Sequence, residues 1–174
     1  MLQPEVRQRV ESEYRTLFES RMYGTTVFSP LCFGFLTGKY NDGKLPENSR
    51  GYSWLNDDEL DEDYKGEVMK FFGPDTVEKT KKTLQGLGEV AKKFGCTQAQ
   101  LALAWVIASQ DISTAIIGVS RIEQVEENLK AIEVAERWTP EVEKEISDLL
   151  ANAPELDQNF RTWTSKPSRR PAQA

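Results

Sequence analysis

Apolar positions three and four apart open the chain: Val6, Val10, Tyr14, Leu17 and Phe18 predict a helix over residues 4 to 21 with one buried stripe. The β-branched run Thr25-Thr26-Val27-Phe28 then predicts a strand over 24 to 28. The segment 29 to 74 reads as a long insertion, punctuated by Pro and Gly, crossed by an acidic run from Asp57 to Asp63 and closed by Gly73-Pro74. A structureless loop of that length commonly serves as a lid or binding loop. Asp75 and Glu78 suit the start of a helix running to Phe94, with Gly95 as its terminator. Thr97 and Gln100 have the spacing of a capping box for a helix over 98 to 109, apolar nearly all round and therefore expected to be sandwiched. The short run Thr114-Ala115-Ile116-Ile117 predicts a short interior strand. Helices follow over 121 to 132 and 140 to 151, the second capped by Thr139 with Pro140 in its first turn. The proline-bearing tail from Ala153 reads as a wrap shading into disorder.

Both strand ends carry candidate chemistry. The first strand feeds Ser29-Pro30-Leu31-Cys32-Phe33-Gly34-Phe35-Leu36-Thr37-Gly38-Lys39-Tyr40, a loop with a single Lys. Gly34 and Gly38 allow backbone to approach a phosphate closely, although Lys39 also reads as a solvated loop lysine and Arg50 as a free surface arginine. The second leads through Gly118 into Ser120-Arg121-Ile122-Glu123, where Ser120 and Glu123 have capping-box spacing. Ser120 suffices as a plain N-cap; equally, a helix start with a hydroxyl and a guanidinium suits a phosphate dianion. Gln124, Glu127 and Asn128 share one helical face, either hydrated or converging on one object. Two strand-end sites with one cation each suggest one bound polyanion.

Composition narrows the classes. A formal net charge of −6 and a pI near 4.9 argue against a nucleic-acid or anionic-membrane partner. The acidic run 57 to 63 reads as a solvated face. No apolar run approaches the roughly 20 residues of a membrane span, and the first residues lack a signal-like apolar region. Cys32 and Cys96 fit no metal-ligand spacing and are too few for a disulfide framework, which points to reduced thiols in the cytoplasm.

The loop from Ser29 to Tyr40 and the segment Gly118-Val119-Ser120-Arg121-Ile122-Glu123-Gln124-Val125-Glu126-Glu127-Asn128 resemble the segments after barrel strands seven and eight of the aldo-keto reductase family, in the branch of the voltage-gated potassium channel β-subunits. Gly51-Tyr52-Ser53-Trp54-Leu55 and Cys96 to Trp105 are similar to the same branch, so the resemblance covers about residues 3 to 151 in order. It implies an α/β fold, a (β/α)₈ TIM barrel that typically needs roughly 250 residues. The chain has 174 residues and is expected to be a partial barrel, the C-terminal half with about strands 7 and 8 and their helices, mostly helical. The domain is then 1 to 152 and the tail 153 to 174. A lone half leaves strand edges and an apolar face open, so in isolation it is expected to associate or stay molten.

The implied function is NADP(H)-dependent reduction of an aldehyde or ketone by hydride transfer. The alternative is a non-catalytic NADP(H)-binding regulatory protein, with an ion channel or further copies of itself as partner. The resemblance places Ser29, Pro30, Leu31 and Gly34 along the cofactor, Lys39 at its pyrophosphate and Arg50 as a clamp over the dinucleotide. It places Gln124, Glu127 and Asn128 at the adenosine end, while the hydroxyl and guanidinium at the helix start suit Ser120 and Arg121 to the 2′-phosphate, with Gly118 also cofactor-binding. The family's catalytic Asp, Tyr, Lys and His lie in the first half of the barrel, and this chain contains no His, so no catalytic or metal residue is assigned and the chain alone is expected to be inactive. Gln3 is a candidate match, by resemblance, for the Gln that holds the nicotinamide carboxamide, but it is not assigned to the site, because the nicotinamide end departs from the family pattern. The aromatic that usually follows is skipped, since Gln3-Pro4-Glu5 runs straight into the first helix.

Overall fold

The structure, a computed structural model, describes residues 2, 4–21, 23–109 and 112–154. The tail beyond 154 and Gln3 lie outside the described residues. Helices α1 (Pro4–Gln8) and α2 (Arg15–Arg21) flank a π-helical turn, Arg9–Glu13. Strand β1 (Thr25–Phe28) follows, then a 3₁₀ segment Cys32–Thr37, α3 (Arg50–Asn56), α4 (Glu62–Phe72), α5 (Val77–Phe94) and α6 (Gln98–Ile107). The chain returns through β2 (Ile112–Ile116) and ends in α7 (Ile122–Leu129), α8 (Ala131–Glu136) and α9 (Pro140–Leu150).

The two strands pair in parallel, Val27 opposite Ala115 and Phe28 opposite Ile116. Everything between them is the crossover, and its helices form the core. Phe35, Leu36, Tyr40, Val68, Leu84, Leu87, Leu101 and Ile146 are at most 1% exposed. Phe35 anchors the cluster, meeting the rings of Tyr40, Phe71 and Phe72 edge to face at 4.9–5.6 Å. Helix α6 is buried nearly all round, as its composition requires. Its capping box forms: Thr97 Oγ1 accepts from the Gln100 amide at 3.2 Å, and Gln100 Oε1 accepts from the Thr97 amide at 3.0 Å.

Several expectations are corrected. The segment 29 to 74 is not structureless, since one 3₁₀ and two α-helices organise it around Phe35, Trp54 and Phe72. The opening helix is interrupted and its apolar stripe stays largely outside, with Val6, Tyr14 and Leu17 about half exposed and Phe18 buried. Arg7 sets the buried face instead: its guanidinium pairs with both carboxylate oxygens of Glu11, donates to Asn152 and lies 5.3 Å from the Trp105 ring. Thr76, not Asp75, precedes α5. The expected helix over 121 to 132 divides at Lys130, and β2 starts two residues early at Ile112. Nor is β2 an interior strand, because among the described residues each strand pairs only with the other. Phe28 is consequently 78% exposed and Ile116 54%.

Burial ranks the consequences of truncation. Leu84→Ala and Leu101→Ala should each cost about 2–5 kcal/mol in chemical denaturation, whereas Ile122→Ala, at a position 77% exposed, should stay within about 0.5 kcal/mol of the parent.

Candidate functional site

Parallel pairing delivers both loops to one edge. The register partners Phe28 and Ile116 stand at the carboxyl ends of their strands, so the chain leaves toward Ser29 and toward Gly118 from adjacent points. In open α/β sheets that edge is where ligands bind.

The first loop is conformationally costly. Ser29, Cys32 and Phe33 have positive φ (50°, 48° and 57°), and Gly34 follows at 96°. Left-handed backbone at a non-glycine residue costs on the order of 1 kcal/mol or more, and such strain concentrates at binding and switch segments. Leu31, at φ −90° and ψ 8°, precedes left-handed Cys32, so the chain changes hand within the turn. The turn is closed by Cys32 N–H donating to Ser29 O, Gly34 N–H to Leu31 O and Thr37 Oγ1 to Gly34 O. The Lys39 ammonium lies against this turn, its Nζ 3.6 Å from where a Cβ on Gly34 would stand, an ordinary contact distance.

Arg50 is brought to this loop by aromatic packing. Trp54, on the same helix, meets Phe33 at 5.0 Å and lies under the Arg50 guanidinium at 5.8 Å. Tyr40 serves Lys39 likewise, with Nζ 4.9 Å from its ring, and its hydroxyl approaches Gly51 beside Arg50. Lys39 and Arg50 are exposed and make no ion pair among the described residues.

The second loop is open. Nothing comes within 4 Å of a Cβ built on Gly118, and Ser120 and Arg121 are exposed. The Ser120–Glu123 capping box does not form. Arg121 is the N-cap, and Gln124 Oε1 accepts from the amides of Ser120 and Arg121 at 2.9 and 3.3 Å and from the Ser120 hydroxyl at 3.3 Å. A carboxamide one residue further along reaches both amides, which Glu123 does not. Gln124 thus rigidifies the entry to α7. Glu127 is exposed, with its carbonyl accepting from Gln100 Nε2 at 2.9 Å, and Asn128 is buried.

Sequence reasoning missed the residues that hold these loops. Gln98 and Gln100 on α6 are each 7% exposed. Gln98 Oε1 accepts from Asn41 Nδ2 at 2.8 Å, behind Lys39, while Gln100 reaches α7. Two glutamines on an otherwise apolar buried helix were the available signal. A cavity of about 630 Å³ lies to one side, bounded by Val6, Arg7, Phe28, Trp105 and Trp138; of the expected site residues it touches Ser29 and Pro30, and the cations lie elsewhere.

The chain matches the aldo/keto reductase family over residues 1–150. It belongs to that family. It is similar to two plant proteins named "Probable voltage-gated potassium channel subunit beta", from Arabidopsis thaliana and Oryza sativa subsp. japonica. Each is 34% identical over 155 residues, covering 89% of this chain and 44% of the relative. The chain thus spans about half the length of the curated relatives it matches. Membership of this family implies the TIM-barrel fold, with which two adjacent parallel strands and a mostly helical remainder agree. Among the described residues no helix is long and apolar enough to cross a membrane.

Neither cysteine is poised as a nucleophile. Burial pushes the Cys32 thiol up from 9.0 to about 12, with the Glu67 carboxylate adding to the shift, and burial raises Cys96 as well. The neutral Cys32 thiol is favoured by folding, so its contribution is complete below pH 9 and is lost as pH climbs toward 12. Stability should therefore fall above about pH 9, and Cys32→Ala should flatten that fall. At pH 8 a thiol reagent should label half-buried Cys96 well before Cys32, which reacts only on unfolding.

Proposed function

We propose that this chain is the C-terminal, cofactor-binding half of an NADP(H)-dependent aldo-keto reductase barrel acting on an aldehyde or ketone in the cytoplasm. The observation that carries this reading is the strained Ser29–Gly34 turn with Lys39 over Gly34, at the edge where the second loop presents Ser120 and Arg121. Its residues fit a dinucleotide's phosphates: positive-φ backbone and an ammonium in one loop, an open glycine and a guanidinium in the other.

In this reading Ser29, Pro30, Leu31 and Gly34 line the cofactor, Lys39 faces the pyrophosphate, and Arg50 clamps over it from α3. Ser120 and Arg121 receive the 2′-phosphate, beside Gly118. The Gln124 carboxamide holds the amides of Ser120 and Arg121, and with Glu127 and Asn128 it borders the adenosine end. NADPH, when bound, supplies the hydride for carbonyl reduction. The chain's own residues bind and orient its phosphate-bearing end. No catalytic acid is assigned to them, since the family's tetrad is expected in the other half of the barrel.

The names of the relatives favour a second reading, in which the barrel binds NADP(H) and acts as a regulatory subunit of an ion channel or of its own oligomer. Turnover separates the two, and cofactor selectivity tests what they share. Charge-assisted hydrogen bonds contribute roughly 1.5–3 kcal/mol each. In a complete barrel, with these segments grafted into a full-length relative if the chain does not fold alone, Arg121→Ala should therefore weaken NADPH about ten- to a hundredfold and leave NADH nearly unchanged, while Lys39→Ala weakens both. Equal losses with Arg121→Ala in fluorescence titrations would remove the 2′-phosphate role.

A further inference from the structure

We infer that Asn41 and Gln98 form a positioning pair that holds the Lys39 loop against α5 and α6, and that Gly88 is kept small to admit it. The contact breaks two local rules at once. Gly88 sits in the middle of the 18-residue helix α5, where glycine is unfavourable. Its reason is close approach, since a Cβ at Gly88 would stand 3.0 Å from Asn41 Nδ2 and 3.2 Å from Gln98 Oε1. The pair's second set of polar atoms, Asn41 Oδ1 and Gln98 Nε2, is buried without a hydrogen-bond partner among the described residues, a cost that an apolar pair of similar size avoids.

What the arrangement secures is position. The single Asn41–Gln98 hydrogen bond, 2.8 Å long, joins residues 57 apart in sequence and ties the residue two beyond Lys39 to the first turn of α6. Gly38, left-handed at φ 90°, packs against the same Gln98 carboxamide, 3.5 Å from where its Cβ would be. Gln98 therefore touches the loop on both sides of Lys39 while contacting no ammonium itself. Places where local rules fail together are where a fold spends stability on placing a group. The role of the placed ammonium rests on the reading of Lys39 as a phosphate contact.

Trypsin reports this loop directly, because it cuts after Lys39. When opening is fast relative to cleavage, the rate follows the population of the open loop. Gln98→Leu should raise cleavage after Lys39 roughly tenfold relative to cleavage after exposed Lys130 at the α7–α8 junction, as loss of one buried hydrogen bond requires. Gly88→Ala should do the same while leaving α5 as helical as before, since alanine is the better helix former. Asn41→Leu should accelerate cleavage after Lys39 as Gln98→Leu does, and the double variant no further than either, because both remove the same hydrogen bond. Equal acceleration at both sites, or less than a twofold change after Lys39, overturns the inference and leaves Gln98 an ordinary core residue. NADPH titration separates the layers. If Lys39→Ala weakens binding and Gln98→Leu does not, positioning fails and the phosphate reading stands; if Lys39→Ala has no effect, the phosphate reading fails whatever trypsin shows.

Discussion

The first turn of α6 is the constraint on which the rest of the site depends. A helix that is apolar nearly all round must be enclosed, and enclosure strips water from any polar side chain it carries. Gln98 and Gln100 are carried in with it, and each has to find partners within the protein. Gln98 finds Asn41, on the loop from β1. Gln100 finds its own cap residue and the Glu127 carbonyl, on the helix after β2. One buried helical turn thereby ties the Lys39 loop and the far half of α7 to the core. The single bond that Gln98 finds, with its amide nitrogen left unpartnered among the described residues, bears on where Lys39 stands.

The strain in the first loop follows the same logic. Two of the three non-glycine residues in left-handed backbone have side chains fixed by neighbours: Cys32 is buried and Phe33 meets Trp54 edge to face. That contact also draws Arg50 in, since its guanidinium lies over the same tryptophan ring. The helical core thus sets the loop, and the loop sets the charge. The exposed sides of β1 and β2 take no part in this, and a variant there should disturb the site less than one in α6.

What was legible in the sequence is what local chemistry decides. The Thr97–Gln100 capping box, the Gly95 terminator and the Thr139 cap with Pro140 all form, because each needs only residues within a turn. Both strands were readable from β-branched and apolar runs. What failed needed knowledge of distant partners. Periodicity marked Val6, Tyr14 and Leu17 as a buried stripe, but Arg7 found Glu11, Trp105 and Asn152 and turned another face inward. Residues 29 to 74 looked like one loop because glycine and proline obscured short helices that exist only by packing on Phe35 and Trp54. In the site, Lys39, Arg50 and Arg121 stood out as cations near glycines. Gln98 did not, since its importance comes from Asn41, far away in sequence.

The central claim is that two loops at one edge of the strand pair, the first held by α6 and the second by Gln124, bind a single polyanion. Titration of the isotopically labelled chain with NADP⁺, followed by amide chemical shifts, tests it directly. The account predicts that amides of Gly34 and Lys39 move together with those of Gly118, Ser120 and Arg121 along one binding isotherm. Shifts confined to one loop, or two loops titrating with different affinities, would contradict it.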